Sequence, residues 1–295
     1  MIQTSSFMRV ADIIRKEIEQ ELISIGLLCR VFGRGKSEAS LRSKLDSNPG
    51  KYTPKGKLVQ DSIGIRVVLY FQEDIKIVDK VLRMKYQCDD AASTIDVPVD
   101  TIFSVSRYNL IFRLPPDYFR DISEPTENLP IDRTFELQIR TVLSEGWHEV
   151  EHDLRYKRKD DWIGSDDLSR GLNGVLATLE TAEWSMRKIF DDLAYKHYKA
   201  KNWDGLVHSV LRMRISAPLG ADVSDFLGKN TDAARRLVRI NRNEIFHTLS
   251  KLAPRIPLTA DNLIFVWNRI SLKDDNLSQL TPRIISETMD ASEIQ

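Results

Sequence analysis

Residues 63–71 read IGIRVVLYF, and this run constrains the fold more than any other stretch. β-Branched and aromatic residues crowd it, which predicts a buried strand. Arg66 sits in its middle, while Ile65 and Val67 point to the opposite face. A charge in that setting needs a partner. Arg66 either pairs with an Asp or Glu inside the fold or meets an anionic ligand such as a polyphosphate. Its guanidinium could also stack on a base.

The flanking segments extend this strand into a sheet. Residues 27–32 form a short apolar run, and residues 108–114 (YNLIFRL) a further strand ended by Pro115-Pro116. Residues 134–139 (TFELQI) alternate, so one face is predicted buried. Helical patterns separate them. Phe7, Val10, Ile14, Ile18 and Leu22 make one apolar stripe, with Ser5 or Ser6 as cap and Gly26 as stop. Residues 37–45 and 75–84 also read as helices. Residues 33–36 (GRGK) read as a basic turn, 48–57 as a loop, and 88–101 as acidic and irregular. Long helices are predicted over 141–156 and 168–195, joined near Gly164 and Ser165.

Beyond Trp203 the texture changes. Residues 206–215 read as a strand, 231–252 as one basic amphipathic helix carrying Arg235, Arg236, Arg239 and Arg242, and 262–270 as apolar. The end is polar and frayed. The fold expected is α+β: a mixed β-sheet flanked by helices over residues 1–200, and a mostly helical accessory region over 201–295.

Lys+Arg and Asp+Glu are 43 each in 295 residues, which excludes binding through bulk positive charge but not a local basic pocket. Cys29 and Cys88 make neither a disulfide framework nor a four-thiolate metal site, and read as buried thiols. Glu17, Glu19 and Glu21 interrupt any leader-like run, and no window approaches the roughly 20 apolar residues of a membrane span. A cytoplasmic location and no membrane partner are the expectation.

Three constellations carry chemistry. Asp61 precedes the 63–71 strand, and Glu136 shares a strand face with Gln138, followed by Arg140. On adjacent strands the two carboxylates suit Mg²⁺, a hard ion that takes oxygen ligands; the alternative is one acid at a turn and one on an edge strand. Arg34, Lys36, Lys44 and Arg66 form a basic set, although no phosphate-binding loop of the G-x-x-x-x-G-K-[ST] type occurs. The third is His148-Glu149-Val150-Glu151-His152, which matches H-E-x-x-H. With Glu180 or Glu183 it would make a zinc peptidase site; the alternative is a solvated charged helix.

Residues 61–68 (DSIGIRVV) resemble the D-x-x-G-I-R strand of RelA/SpoT-type alarmone synthetases. Residues 135–141 (FELQIRT) are similar to their E-x-Q-I-R-T segment. Trp147, Glu151-His152, Leu154 and Tyr156-Lys157 look like the W-x-x-x-E-H-x-L-x-Y-K helix of the small single-domain members. Upstream, Arg34, Lys36-Ser37, Ser40 and Lys44 match R-x-K-S-x-x-S-x-x-x-K. The resemblance covers residues 1–200 and absorbs Glu151 and His152.

It implies a nucleotidyltransferase-like synthetase fold that moves the β,γ-pyrophosphate of ATP to a ribose 3′-hydroxyl of GDP or GTP, or of tRNA, with Mg²⁺ as cofactor. Arg34, Lys36, Ser40, Lys44 and Arg66 would bind ATP, with Arg66 at the adenine. Asp61 and Glu136 would hold the metal, and Glu136 would accept the 3′-hydroxyl proton. Gln138 and Arg140, with His152 and Lys157, would serve the acceptor or neutralise charge. Such chemistry needs in-line positioning and cations more than covalent steps. The family's G-Y-x-S-x-H acceptor loop is altered to residues 103–109 (FSVSRYN), where Tyr108 and Asn109 are the nearest counterparts. A catalytically degenerate nucleotide or RNA sensor is therefore the alternative. The first histidine is His148, so the family's H-D hydrolase module is not expected. A homo-oligomer is compatible with the family.

Overall fold

The computed structural model describes residues 4–95, 108–118, 129–252 and 255–293. Two compact units divide the chain, one of residues 1–20 and 29–181, the other of residues 21–28 and 182–295.

In chain order, α1 (Thr4–Ser24), β1 (Cys29–Gly35), α2 (Glu38–Asp46), β2 (Ile63–Leu69), α3 (Ile75–Lys85), β3 (Cys88–Ile95), β4 (Tyr108–Arg113), β5 (Thr134–Thr141) and α4 (Val142–Glu151) precede a long helix, α5 (Asp166–Lys199). The first unit holds one five-stranded sheet in the order β1-β2-β5-β4-β3. β2 and β5 run parallel, and the other neighbours are antiparallel. The sheet is mixed and flanked by helices, as expected.

Period two sorts the side chains. Ile63, Ile65, Val67, Leu110, Phe112, Phe135, Leu137 and Ile139 are all buried. They share one face, by the registers Ile65↔Leu137 and Leu110↔Leu137. The stripe of α1 (Phe7, Val10, Ile14, Ile18) is buried as well, as are Ile77, Val78, Val81 and Leu82 of α3. Tyr86, just past α3, meets Phe135 edge-on at 5.2 Å, and Phe135 stacks on Phe112 at 5.4 Å. A Cβ at Gly35 would lie 2.4 Å from the Met8 nitrogen, so only glycine lets α1 run this close to β1. The opposite face of the sheet carries the polar residues.

Several elements differ from the sequence reading. Helix α1 starts at Thr4, so Ser5 and Ser6 lie inside it rather than capping it. Residues 33–35 belong to strand β1, not to a turn, because they pair with Ile65, Gly64 and Ile63. Residues 88–95 form the edge strand β3, whose acidic start conceals it; 96–101 lie outside the described residues.

The second unit is helical: α6 (Trp203–Leu211), α7 (Ala221–Lys229), α8 (Thr231–Leu237), α9 (Arg242–Lys251), α10 (Ala260–Trp267), α11 (Asp275–Leu280) and α12 (Arg283–Glu293). The strand expected at 206–215 is largely helix α6. Trp203, Leu206, Val207, Ser209, Val210 and Leu211 are all buried, and the outward stripe narrows to Asp204, Gly205 and His208, so the run from Leu206 reads as apolar with little helical period. The single basic helix expected at 231–252 is two helices. Asn241 caps α9 through the Asn243 N–H (3.1 Å). Arg242 turns inward and donates to the Leu211 and Arg212 carbonyls at 2.6 and 3.3 Å. It closes the end of α6 and does not join Arg235 and Arg236 on a basic face. The polar end is ordered as α11 and α12. Cys29 is buried and Cys88 half-buried, and neither is in a disulfide. Among the described residues no helix is long and apolar enough to cross a membrane.

Candidate active site

The polar face is built from the ends and middles of β1, β2, β4 and β5. Antiparallel register sets Phe32 opposite Arg66 and Arg34 opposite Gly64. Parallel register sets Gly64 beside Glu136 and Arg66 beside Gln138. Asn109 of β4 stands opposite Gln138 on the other side. Phe32, Gly33, Arg34, Gly64, Ile65, Arg66, Glu136, Gln138 and Glu149 line a cleft of about 190 Å³.

One end of the site is cationic. Ser37 caps α2 by accepting from the Ser40 N–H at 3.2 Å, which brings Lys44, in the last turn, back toward Lys36. Both ammonium groups reach the same oxygen of Asp61: Lys36 Nζ at 2.7 Å and Lys44 Nζ at 2.8 Å from Oδ2. The other oxygen, Oδ1, is buried without a hydrogen-bond partner. Burial pushes the Asp61 carboxyl up, but the bonds from Lys36 and Lys44 outweigh it and hold the group below the usual carboxylate range.

Glu136 behaves in the opposite way. Burial, then the charge of Asp61, raises its pKa, against the pull of Arg34, Gln138 and Lys44. The pKa values of the two carboxylates are thus pushed apart, that of Asp61 below the ordinary range and that of Glu136 above it. Glu136 accepts from Gln138 Nε2 at 3.1 Å and from Asn109 Nδ2 at 3.3 Å. Gln138 Oε1 in turn accepts from Arg66 Nε at 3.2 Å, and Asn109 Oδ1 from Arg140 Nη2 at 3.2 Å. Arg66 also pairs with Glu145 and Glu149 of α4. Its acidic partners were missed in the sequence. The signal was the i, i+4 spacing of Glu145 and Glu149, which puts both on one helix face.

The structure therefore brings together Arg34, Lys36, Lys44, Asp61, Arg66, Asn109, Glu136, Gln138 and Arg140. Others stand apart. Ser40 is exposed and engaged with Ser37 Oγ at 2.9 Å. Tyr108 points to the other face of the sheet, where its hydroxyl donates to Asp79 Oδ2 of α3 at 2.9 Å. Burial and that carboxylate hold the phenol well above its usual range. The expected acceptor contact at Tyr108 is not met, because one-residue alternation separates it from Asn109. Residues 103–107 of the expected acceptor loop lie outside the described residues.

His152 and Lys157 both bind Asp153, at 3.0 and 2.6 Å, on an exposed surface. His152 stacks on Tyr156 at 5.7 Å within a π-helical turn, His152–Tyr156. Other residues of this motif hold the fold. Trp147 Nε1 donates to the Leu172 carbonyl at 2.7 Å, and Arg155 Nη1 donates to Ser169 Oγ and Asn173 Oδ1 at 3.0 and 2.9 Å. In the H-E-x-x-H run, Glu149 is paired with Arg66, and His148 meets Trp147 edge-on. Among the described residues no group of three or more His, Cys, Asp or Glu side chains is placed to hold a metal ion, which gives the zinc alternative no support.

Residues 33–161 match a family model described as the region found in RelA/SpoT proteins. Residues 33–161 are a RelA/SpoT-type domain. The match falls wholly within the first unit and contains every residue that lines the cleft except Phe32. No curated protein matches the sequence. Similar solved structures include a GTP pyrophosphokinase family protein from Streptococcus pneumoniae (19% identity, 64% of this chain and 91% of that one, TM-score 0.49). Small alarmone synthetase 2 from Bacillus subtilis is 20% identical over 63% of this chain and 95% of its own, with a TM-score of 0.48. Small alarmone synthetase 1 from the same organism, bound to its product pppGpp, is 19% identical over 62% and 92%, with a TM-score of 0.46.

Proposed function

We propose that the RelA/SpoT-type domain is a pyrophosphokinase that transfers the β,γ-pyrophosphate of ATP to a ribose 3′-hydroxyl. The observation that carries this reading is the Asp61–Glu136 pair. One carboxylate is anchored by Lys36 and Lys44 with an oxygen left over, and the other is buried beside it with a raised pKa.

In this reading Arg34, Lys36 and Lys44 bind the triphosphate. Gln138 and Asn109 fix the Glu136 carboxylate, and Arg140 fixes Asn109. Glu136 takes the proton of the attacking 3′-hydroxyl. A bond forms between that oxygen and the β-phosphorus, the bond from the β-phosphorus to the oxygen it shares with the α-phosphate breaks, and AMP leaves. The residues fit a Mg²⁺ ion: hard carboxylate oxygens face the site, and Asp61 Oδ1 is buried without a partner. When bound, the ion would be held by Asp61 and Glu136 and would neutralise developing phosphate charge.

The acceptor favoured is GDP or GTP. A second acceptor, the 3′ end of tRNA, is favoured by two observations. Tyr108 is turned away from the site, and Lys51, Lys55 and Lys57 lie exposed in the loop after α2. Exposed apolar side chains on α5, Ile189 and Trp184 among them, support self-association. The test is label transfer from γ-labelled ATP, with Mg²⁺ and with GDP, GTP or deacylated tRNA in separate reactions. Label on a guanosine nucleotide supports alarmone synthesis, and label on tRNA supports the second acceptor. Nucleotide binding without transfer to any acceptor would leave a sensor and refute the enzyme.

A further inference from the structure

We propose that Phe32 is the nucleobase-stacking residue of the donor subsite; this rests on reading the site as an ATP site. A single exposed phenylalanine means little, since folded proteins expose many apolar side chains. The position of this one is what matters. It is 52% exposed, it lines the cleft, and it stands in register with Arg66 on the polar face of the sheet.

The outward side chains of β1 and its end run Arg30, Phe32, Arg34 and Lys36. Arg30 lies outside the cleft lining, so along the cleft Phe32 comes first, Arg34 next, and Lys36 last, bonded to Asp61. At about 3.4 Å per residue the run from Phe32 to Lys36 spans roughly 14 Å. An aromatic ring thus lies at one end of the cleft and two cations toward the other. A nucleoside triphosphate has the same polarity, with a flat apolar base at one end and anionic oxygens at the other. Gly64, opposite Arg34, adds no side chain to the floor between them.

Arg66 completes the argument. Gln138, Glu145 and Glu149 accept along the N–H edge of its guanidinium. An arginine bound at its edge offers its flat faces to a ligand. Phe32 opposite, a π surface without hydrogen-bonding groups, suits a base and not a phosphate. Among the described residues no ring or hydrogen-bond partner engages Phe32. Stacking of this kind tolerates any base, so Phe32 supplies affinity for a nucleobase, not selection among them.

The experiment uses the full chain with Phe32→Ala, Phe32→Leu and Phe32→Trp. Two probes are titrated, a non-transferable ATP analogue and inorganic tripolyphosphate, which has the charge but no base. Phe32→Ala and Phe32→Leu are expected to weaken the ATP analogue about tenfold and leave tripolyphosphate unchanged. Phe32→Trp should keep the affinity, and its added fluorescence should be quenched by the analogue and not by tripolyphosphate. Equal losses for both probes, or an unaltered ATP affinity in Phe32→Ala, overturns the proposal. Because the side chain is exposed, unfolding midpoints should match the parent. If the parent binds the analogue through Phe32 but transfers nothing, the stack stands and the pyrophosphokinase reading falls. If the parent transfers pyrophosphate and Phe32→Ala binds ATP normally, only the stack falls. A parent that binds neither probe sinks both.

Discussion

Glu136 and Asp61 carry opposite pKa shifts, and the two signs make separate predictions. Glu136 is raised, so in the window between its unfolded and folded pKa the native state holds more protons. Its contribution to stability then falls as pH rises through that window. At neutral pH the buried charge is a liability kept for chemistry. Glu136→Gln should therefore abolish transfer while leaving the unfolding midpoint equal or higher at pH 7, since the amide keeps volume and removes charge. A variant with parental activity would show that Glu136 is not the base. The same shift places the acid limb of the rate profile above the ordinary carboxylate range, because only ionised Glu136 accepts the proton. A rate that stays flat down to the usual carboxylate range argues against the assignment. Asp61 is lowered, so its stabilisation is present above its unfolded pKa and is lost as pH falls through the folded one. Asp61→Asn leaves Lys36 and Lys44 without their anion and should cost about 1–3 kcal/mol in denaturant titration. A midpoint unchanged at pH 7 and lowered equally for both proteins in acid contradicts that pairing.

Helix α4 joins the sheet to the site. Thr141 accepts from the Ser144 N–H at 3.1 Å, and Ser144 Oγ returns a bond by accepting from the Thr141 N–H at 3.0 Å. That cap sets the rotation of the helix. Glu145 and Glu149 then face Arg66, and Trp147 faces Leu172. Thr141→Ala should lower stability by about 1 kcal/mol, and Thr141→Ser should restore most of it. Equal urea midpoints for alanine and threonine remove the cap from the argument. Strands β2, β4 and β5 were legible because their residues are β-branched or alternate, and Gln138 was legible as a partner of Glu136 because period two is a strict rule. Arg66 showed that it needed a partner but not which one, since Glu145 and Glu149 lie a full crossover away in sequence. Tyr108 was misplaced for a related reason. A motif gives the order of residues, while the phase of a strand decides which face each one occupies, and one residue of phase sends Tyr108 to Asp79 and Asn109 to Glu136.

At the scale of the molecule, a formal charge of zero conceals a local cationic patch, Arg34, Lys36 and Lys44, that only the fold assembles. The second unit was read less well than the sheet because its helices are short and two of them, α6 and α10, are buried over most of their surface, so hydrophobic period fades there. α10 is the extreme case, with Leu263, Ile264, Phe265, Val266 and Trp267 all buried. α5 has the reverse property. In its C-terminal half Met186, Ile189 and Leu193 recur at i, i+3 and i+7, and they are 36%, 63% and 37% exposed. Trp184 on the same helix is 64% exposed. Apolar side chains repeated along one stripe of a helix ordinarily meet another surface, and a second copy supplies one through a two-fold contact. Light scattering of the full chain should then give a multiple of 33.9 kDa. Ile189→Glu should shift the mass toward one chain, because a charge would have to be desolvated at the contact. The position is exposed within the single chain, so its unfolding midpoint at low concentration should not move. A parental mass of one chain over the micromolar range removes self-association, and a lowered midpoint in Ile189→Glu at low concentration would mean that the stripe packs within the chain instead.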